Sequence, residues 1–384
     1  MTVGRKGNFV EEHEIRALAK RIAEERVAAN AAARDQNCTF PREEVRILGE
    51  SGLLGVGISE DYGGVGAKRA DFASVARELG RACASTALVY VSHVIAAKAI
   101  EVAGSEATKE EQLGQMMRGR CLGAFAVHEP DAGSNAGAIT TSARKDGGHY
   151  VVNGSKFFIT SGGEADVYLV LVRTDPGKGP QGTSTLLVEK NTPGLSFGRP
   201  EDKMGLRATS SREMSFSDCR VPASNLIGDE GGGMQVIGNA VVGWGFFGAA
   251  GISVGIAQSA VDISVRHAGE RTIAGRPIAV HQAVQFLISD MILGGEAAAA
   301  LLTTCCARAD ASPDTAVING FKAKLFASEM AVAATNKAIQ VLGGHGYCRD
   351  YVVERLFRDA RGLTLHFKTS EWLRQDIAKA ALKL

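Results

Sequence analysis

The hydrophobic pattern changes period twice along these 384 residues, and that fixes the order of secondary structure. Up to about residue 122 the spacing is helical. Ile15, Leu18, Ile22 and Val27 recur among charged residues between positions 11 and 35, and Pro41 opens a second helix with Val45, Leu48 and Leu53 on its core face. From about 123 to 230 the pattern is that of strands. Residues 149–152 and 155–159 flank Asn153-Gly154 and read as a hairpin on an Asn-Gly turn, with further strands at 166–173, 185–188 and 213–216. After Glu230 helical signals return and run to the end, interrupted at 269–277 and 343–347. An all-α, all-β, all-α order predicts separate domains of an α+β protein rather than a doubly wound sheet. These are an N-terminal α-helical domain (1–122), a middle β-barrel or sandwich domain (123–230) and a C-terminal helical bundle (231–384).

One stretch allows a different reading. Residues 231–261 contain no charged side chain and are long enough to cross a bilayer. Nine glycines with Gln235, Asn239, Ser253, Gln258 and Ser259 dilute its apolarity, so a buried helix in a large core is expected, with no membrane contact. The formal net charge of +1 gives no reason to expect a nucleic-acid partner. Seven scattered cysteines without a CxxC argue against a disulfide framework and a metal site, and for a reducing cytoplasm. The first residues, MTVGRKGNFVEEHE, have no apolar core and do not form a signal peptide. The loop at 61–66 lacks the strand and the ribose-binding acid that a dinucleotide fingerprint needs.

Seven separated segments, in order, carry a resemblance. They are Phe125-Ala-Val-His-Glu-Pro-Asp-Ala-Gly-Ser134, Lys156-Phe-Phe-Ile-Thr-Ser-Gly-Gly163, Glu201-Asp-Lys-Met-Gly-Leu-Arg207, Phe216-Ser-Asp-Cys-Arg-Val-Pro222, Glu270-Arg271, Gln340-Val-Leu-Gly-Gly-His-Gly-Tyr347 and Thr369-Ser-Glu371. Together they resemble the acyl-CoA dehydrogenase family over nearly the whole chain. The resemblance implies FAD, a thioester substrate, an electron acceptor and a homotetramer. Phe125, Val127, His128, Gly133 and Ser134 fall on the family's flavin segment. Gly133 lets backbone approach a pyrophosphate, and Ser134 offers N–H and hydroxyl donors there and at the substrate. Phe158 would cover the flavin ring, with Ile159 beside it and Thr160 at the atom that accepts hydride. Arg271, His281, Gln282, Gln340, Val341, Leu342, Gly343 and Gly344 stand where a neighbouring subunit completes the family's FAD site, and Thr369 and Glu371 where nucleotide contacts lie. Ile273 and Ala274 depart from the family's Thr-Phe pair, and His128 from its Thr.

The pattern breaks at the catalytic acid. The family's reaction needs a carboxylate to remove the α-proton of the thioester. Its usual Tyr-Glu-Gly-Thr segment reads His366-Phe367-Lys368-Thr369 here. At the family's alternative position Gly245 stands for the Glu and Phe246 for the Arg beside it, while Gly243 replaces an Asp that helps bind CoA or substrate. Gly243, Gly245, Phe246, Phe367 and Lys368, with Ser134, are expected to line one substrate pocket. No residue is assigned as catalytic base; His366, Glu371, His93 and Cys83 are the ionisable groups considered nearby. Three functions follow. The first is an FAD-dependent oxidoreductase on an acyl or aminoacyl thioester of CoA or a carrier protein, with non-standard chemistry. The second is a flavin-dependent monooxygenase of the same fold. The third is a non-catalytic partner subunit that holds FAD.

Overall fold

The structure, a computed structural model, describes residues 12–384. Helix α1 (Glu12–Ile22) runs through one π turn (Ala23–Val27) into α2 (Ala28–Asn37), burying Ile15, Ala19, Ala23, Val27 and Ala31 along one stripe. Cys38 at φ 53 ends it in the left-handed conformation. Helix α3 (Arg42–Glu50) follows Pro41, and α4 (Arg69–Ala82), α5 (Ala84–Ala103) and α6 (Glu106–Met117) complete the first block. Helix α5 is apolar on all sides and buried from Ala84 to Ile100, so it forms the axis on which the other layers pack.

The middle block is the expected β domain, with eight strands joined in one mixed hydrogen-bonded path. Its strands are β1 (Gly123–Ala126), β2 (Ser142–Asp146), β3 (His149–Ile159), β4 (Val167–Arg173), β5 (Thr183–Glu189), β6 (Leu195–Phe197), β7 (Arg212–Pro222) and β8 (Leu226–Ile227). The order is β6-β7-β3-β2-β4-β5-β8, with β1 parallel to β4. The Asn153-Gly154 hairpin is not formed. Both residues lie inside the continuous strand β3, and the turn into it is made at Gly147-Gly148. Asn153 instead grips Asp218 of β7 twice, its amide donating to Oδ1 at 3.1 Å and its Oδ1 accepting from the Asp218 N–H at 2.8 Å. This exchange absorbs the Asn-Gly pair as a bulge, with the register shifting between Val152 and Gly154.

The uncharged stretch is core. Helix α7 (Gly233–Val236), a π segment (Ile237–Gly245) and α8 (Phe246–Glu270) form one continuous rod, 94% buried in its most apolar window. Gly251 and Gly255 mark where α8 crosses α4, since a Cβ there would meet the Ala73 carbonyl at 2.4 Å and the Arg77 carbonyl at 2.1 Å. The hairpin β9 (Thr272–Ile273) and β10 (Arg276–Pro277) leads to α9 (Gln282–Ala311), α10 (Ala316–Leu342), α11 (Val352–Leu365) and α12 (Ser370–Leu382). Helix α9 is as apolar as a core helix, yet only 17% of its most apolar window is covered. Cys305 and Cys306 of α9 are buried thiols, and all seven cysteines are free.

Candidate active site

A buried ion pair fixes the segment after β1. Lys156 of β3 is fully buried and donates to Glu129 Oε1 at 2.7 Å and to the Val127 carbonyl at 3.1 Å. Glu129 also accepts from the Thr140 N–H, the Thr140 hydroxyl and the Thr141 N–H at 2.6–3.0 Å. Burial alone would raise the Glu129 pKa, but Lys156 and these donors bring it down to about 2; burial pulls Lys156 down to about 8 against the pull of Glu129. With Phe157 N–H bonded to the His128 carbonyl at 2.9 Å, residues 127–129 are tied to β3. Both partners lay inside quoted motifs, but nothing in the sequence assigned them to each other.

Above this clamp, the sheet and the rod α7–α8 enclose a cavity of about 160 Å³. The structure brings Phe125, Val127, His128, Ser134, Phe158, Ile159, Thr160, Phe246, Phe367 and Lys368 to its wall, although up to 243 positions separate them. Sequence reasoning missed Ser92 and Ile95 of α5, Ala136 of the loop after β1, Met234, Ile237, Val241 and Val242 of the rod, and Phe321 of α10; apolar residues in apolar helices, and a lone Ser among them, carry no signal of their own. No Asp or Glu lines the cavity among the described residues. Phe158 is held at φ 54 with its ring 59% exposed, whereas Thr160 beside it is buried. A large aromatic left open at a bulge is a surface built to be covered by a flat ring.

The Phe367 loop is held by basic side chains. Buried Lys324 donates to the Thr364 carbonyl at 3.1 Å and the Lys368 carbonyl at 2.7 Å, and His128 Nε2 donates to the Phe367 carbonyl at 3.2 Å. These bonds hold Phe367 at φ 61, and its ring stacks on Phe246 with centroids 5.5 Å apart. Burial lowers Lys324 to about 7, and burial with the nearby charges of His128, Lys324 and Lys203 lowers His366 to about 3, so that His366 is neutral at pH 7. Gly245 lies directly under Phe367: a Cβ there would sit 3.1 Å from Phe367 Cζ. Gly243 does not join this pocket. Its carbonyl accepts from Arg69 Nε at 2.7 Å, and Arg69, paired with Asp310, turns that face of the rod toward α4. His93 is also excluded, because Nδ1 accepts from the Gly123 N–H and Nε2 donates to the Met116 carbonyl, both at 3.1 Å. Cys83 is buried at the start of α5 and does not line the cavity.

A second cavity, about 330 Å³, opens past Thr369 between Glu329, Arg361, Ser370 and Glu371. The Ser370 hydroxyl is buried without a partner at the N-terminal end of α12, and Arg361 supplies a cation beside it. An aromatic cradle followed by a polar cleft with Arg361 and an unpartnered hydroxyl fits FAD, the ring against Phe158 and Thr160 and the nucleotide beyond Thr369. Gly133, on the loop after β1, is exposed. Arg271, His281, Gln282, Gln340, Gly343 and Gly344 are exposed too and lie outside both cavity walls; Val341 and Leu342 are buried in this chain's own core. If these exposed groups serve a neighbour's cofactor, Arg271→Ala lowers FAD retention while leaving the fold intact. Cofactor release measured against circular dichroism checks this, and unchanged retention would refute the assignment.

With a cofactor cradle on the sheet and an apolar pocket between it and the bundle, the class is that of a flavoprotein oxidoreductase. The family descriptions acyl-CoA dehydrogenase N-terminal, middle and C-terminal domain match residues 10–120, 124–219 and 231–382. Acryloyl-CoA reductase (NADH) of Anaerotignum propionicum is 39% identical over 97% of this chain and 95% of its own. Butyryl-CoA dehydrogenase of Megasphaera elsdenii superposes with a TM-score of 0.93 at 32% identity, covering 98% of this chain and all of that one. The prolyl acyl carrier protein oxidase AnaB superposes at 0.91 and 29% identity, with the same coverage. The chain belongs to the acyl-CoA dehydrogenase family, and as a member it is an FAD-dependent oxidoreductase.

Proposed function

We propose that this protein acts on a thioester-bound acyl or aminoacyl group by chemistry that does not begin with removal of an α-proton by a carboxylate. The observation that carries this reading is the cavity wall without an acid, where Phe367 stacks on Phe246 over Gly245. FAD, when bound, would supply an acceptor for two electrons, taken together as a hydride. The chain's own residues do the rest. Phe158 would cover the ring and Thr160 would hold its reactive edge. The clamp of Glu129 and Lys156 holds the segment that reaches the pyrophosphate, and the aromatic wall keeps water from the acyl group. His128, with Nε2 donating to the Phe367 carbonyl, would offer Nδ1 as an acceptor to the flavin's pyrimidine edge. The carrier of the thioester is CoA or a carrier protein. That a prolyl acyl carrier protein oxidase is among the similar structures supports the latter. Anaerobic mixing with straight-chain acyl-CoAs should bleach the flavin barely at all, and rapid bleaching would overturn the reading.

A homotetramer accompanies this function. Arg271, Gln282 and Gln340 reach outward from their own cavity, and α9 leaves Phe286 and Leu293 about 60% exposed. Apolar area of that kind is covered by another copy in such folds. Light scattering is expected to show four chains per particle; a stable FAD-loaded monomer would refute it. Free thiols without a disulfide fit a cytoplasmic location. An electron acceptor completes the cycle.

A further inference from the structure

Ser92 is the odd residue in the helical wall of the acyl cavity. Helix α5, the rod and α10 turn Ile95, Ile237, Val241, Val242, Phe246 and Phe321 toward the space, and Ser92 is the one polar side chain they contribute among the described residues. It is 5% exposed and makes no hydrogen bond with a described residue. Hydroxyls on other long helices of this chain settle on their own backbone. Ser253, Thr303 and Thr335 each donate to the carbonyl one turn earlier, at 2.7–3.0 Å. Ser92 makes no such bond to Leu88, one turn before it on α5. Its place is also specific. Ile95, three residues on along the same helix face, comes within 3.5 Å of where a Cβ at Gly245 would be, the spot that the Phe367 ring covers.

A buried hydroxyl without a partner costs free energy that an alanine in its place would not. Ser134 and Thr160 have the cofactor to meet, and His128 holds the Phe367 loop; Ser92 has neither duty. It is left for the acyl group. We propose that Ser92 is a specificity-determining residue, and that the acyl group taken here is short and carries a neutral hydrogen-bonding substituent, a hydroxyl in the simplest case. This rests on the thioester reading above. The size follows from the cavity, whose 160 Å³ is room for roughly one benzene-sized guest. Neutrality follows from the wall. No described acid lines it to meet an ammonium, and its one lysine, Lys368, is already paired with Asp376. Burial lowers the pKa of both His128 and His366, so neither offers a resident positive charge at pH 7. A hydroxyl needs no counter-charge. It donates to Ser92 Oγ or accepts from it, whereas a methyl in its place leaves Ser92 without a partner.

The test uses the FAD-loaded protein and pantetheine thioesters, with dissociation constants measured by calorimetry. Pantetheine is the arm that CoA and carrier proteins share, so the choice between them does not enter. Each enantiomer of the 2-hydroxybutyryl and 3-hydroxybutyryl esters is compared with the 2-methylbutyryl and 3-methylbutyryl esters, in which a methyl replaces the hydroxyl. At least one hydroxy ester is expected to bind about threefold or more tighter than its methyl counterpart, within the range of one net hydrogen bond. In Ser92→Ala that preference should vanish or reverse, since the helical wall is then wholly apolar. Methyl esters that bind the unmodified protein as tightly as hydroxy esters overturn the proposal and leave the thioester reading standing. A hydroxyl preference that survives Ser92→Ala also overturns it, by placing the partner elsewhere. So does a 3-aminobutyryl ester that binds tightest of all, since the pocket would then receive a cation. No binding of any ester removes both the proposal and the thioester reading.

Discussion

In a Phe246→Arg/Phe367→Glu variant, straight-chain acyl-CoAs are expected to bleach the flavin at least about 10²-fold faster than in the unmodified protein, the lower range of general-base catalysis. Phe367→Glu alone should recover little. Its carboxylate would stand among Phe246, Phe321 and Ile95, and burial without a cation raises a carboxyl pKa and weakens it as the required anion. Phe246 stacks on Phe367 at 5.5 Å, so an Arg in its place lies within reach of the new carboxylate and brings that pKa back down. Anaerobic stopped-flow absorbance across a series of chain lengths measures the effect. Additive single changes would show that the two positions do not act together, and a pair as slow as the wild type would place the obstacle elsewhere.

Lys156→Met should be among the most damaging single changes to stability, on the order of 3–5 kcal/mol in denaturant unfolding, with loss of FAD. It leaves the Glu129 carboxylate buried with its hydrogen bonds but no cation. A Glu129→Gln/Lys156→Met pair removes both charges and is expected to regain a good part of the loss, a coupling that a double-mutant cycle measures. The acid limb has a definite sign. Glu129 is held near 2 in the folded chain against an ordinary 4.5, so its contribution is complete above pH 4.5 and disappears as the pH falls toward 2. A Glu129→Gln variant should therefore show a flatter loss of stability across that interval. An unchanged slope would mean the ion pair is not what tightens the fold there.

The three blocks were legible because hydrophobic period reports which face is buried, and the cavity wall because short motifs kept their order along the chain. What failed to show had a tertiary cause each time. Asn153-Gly154 looks like a hairpin turn, but Asp218 on the neighbouring strand bonds Asn153 and makes a bulge of it. Gly243 shares a helix with Gly245 and Phe246, yet Arg69 from α4 takes its carbonyl and closes that side. Lys324 sits in an unremarked stretch of α10, and only the fold shows that its ammonium holds a loop 40 residues further on. Val341 and Leu342 share a segment with exposed Gly343 and Gly344, but the helix end turns both of their side chains inward.

The contact between Gly245 and Phe367 has a bearing on ancestry. Positions 245 and 367, where the resemblance puts the family's acid, are neighbours in space, and the ring at 367 fills the room above 245, 3.1 Å from where a Cβ there would be. A carboxylate returning at 245 would meet the ring, and one returning at 367 would enter an aromatic wall without a cation. Neither single step is expected to give base-driven desaturation, so the two positions constrain each other. A lineage in this state needs two changes together, a cation at 246 with a carboxylate at 367 or a smaller residue at 367 with a carboxylate at 245. Its descendants are expected to vary the acyl pocket around Phe367 rather than replace it.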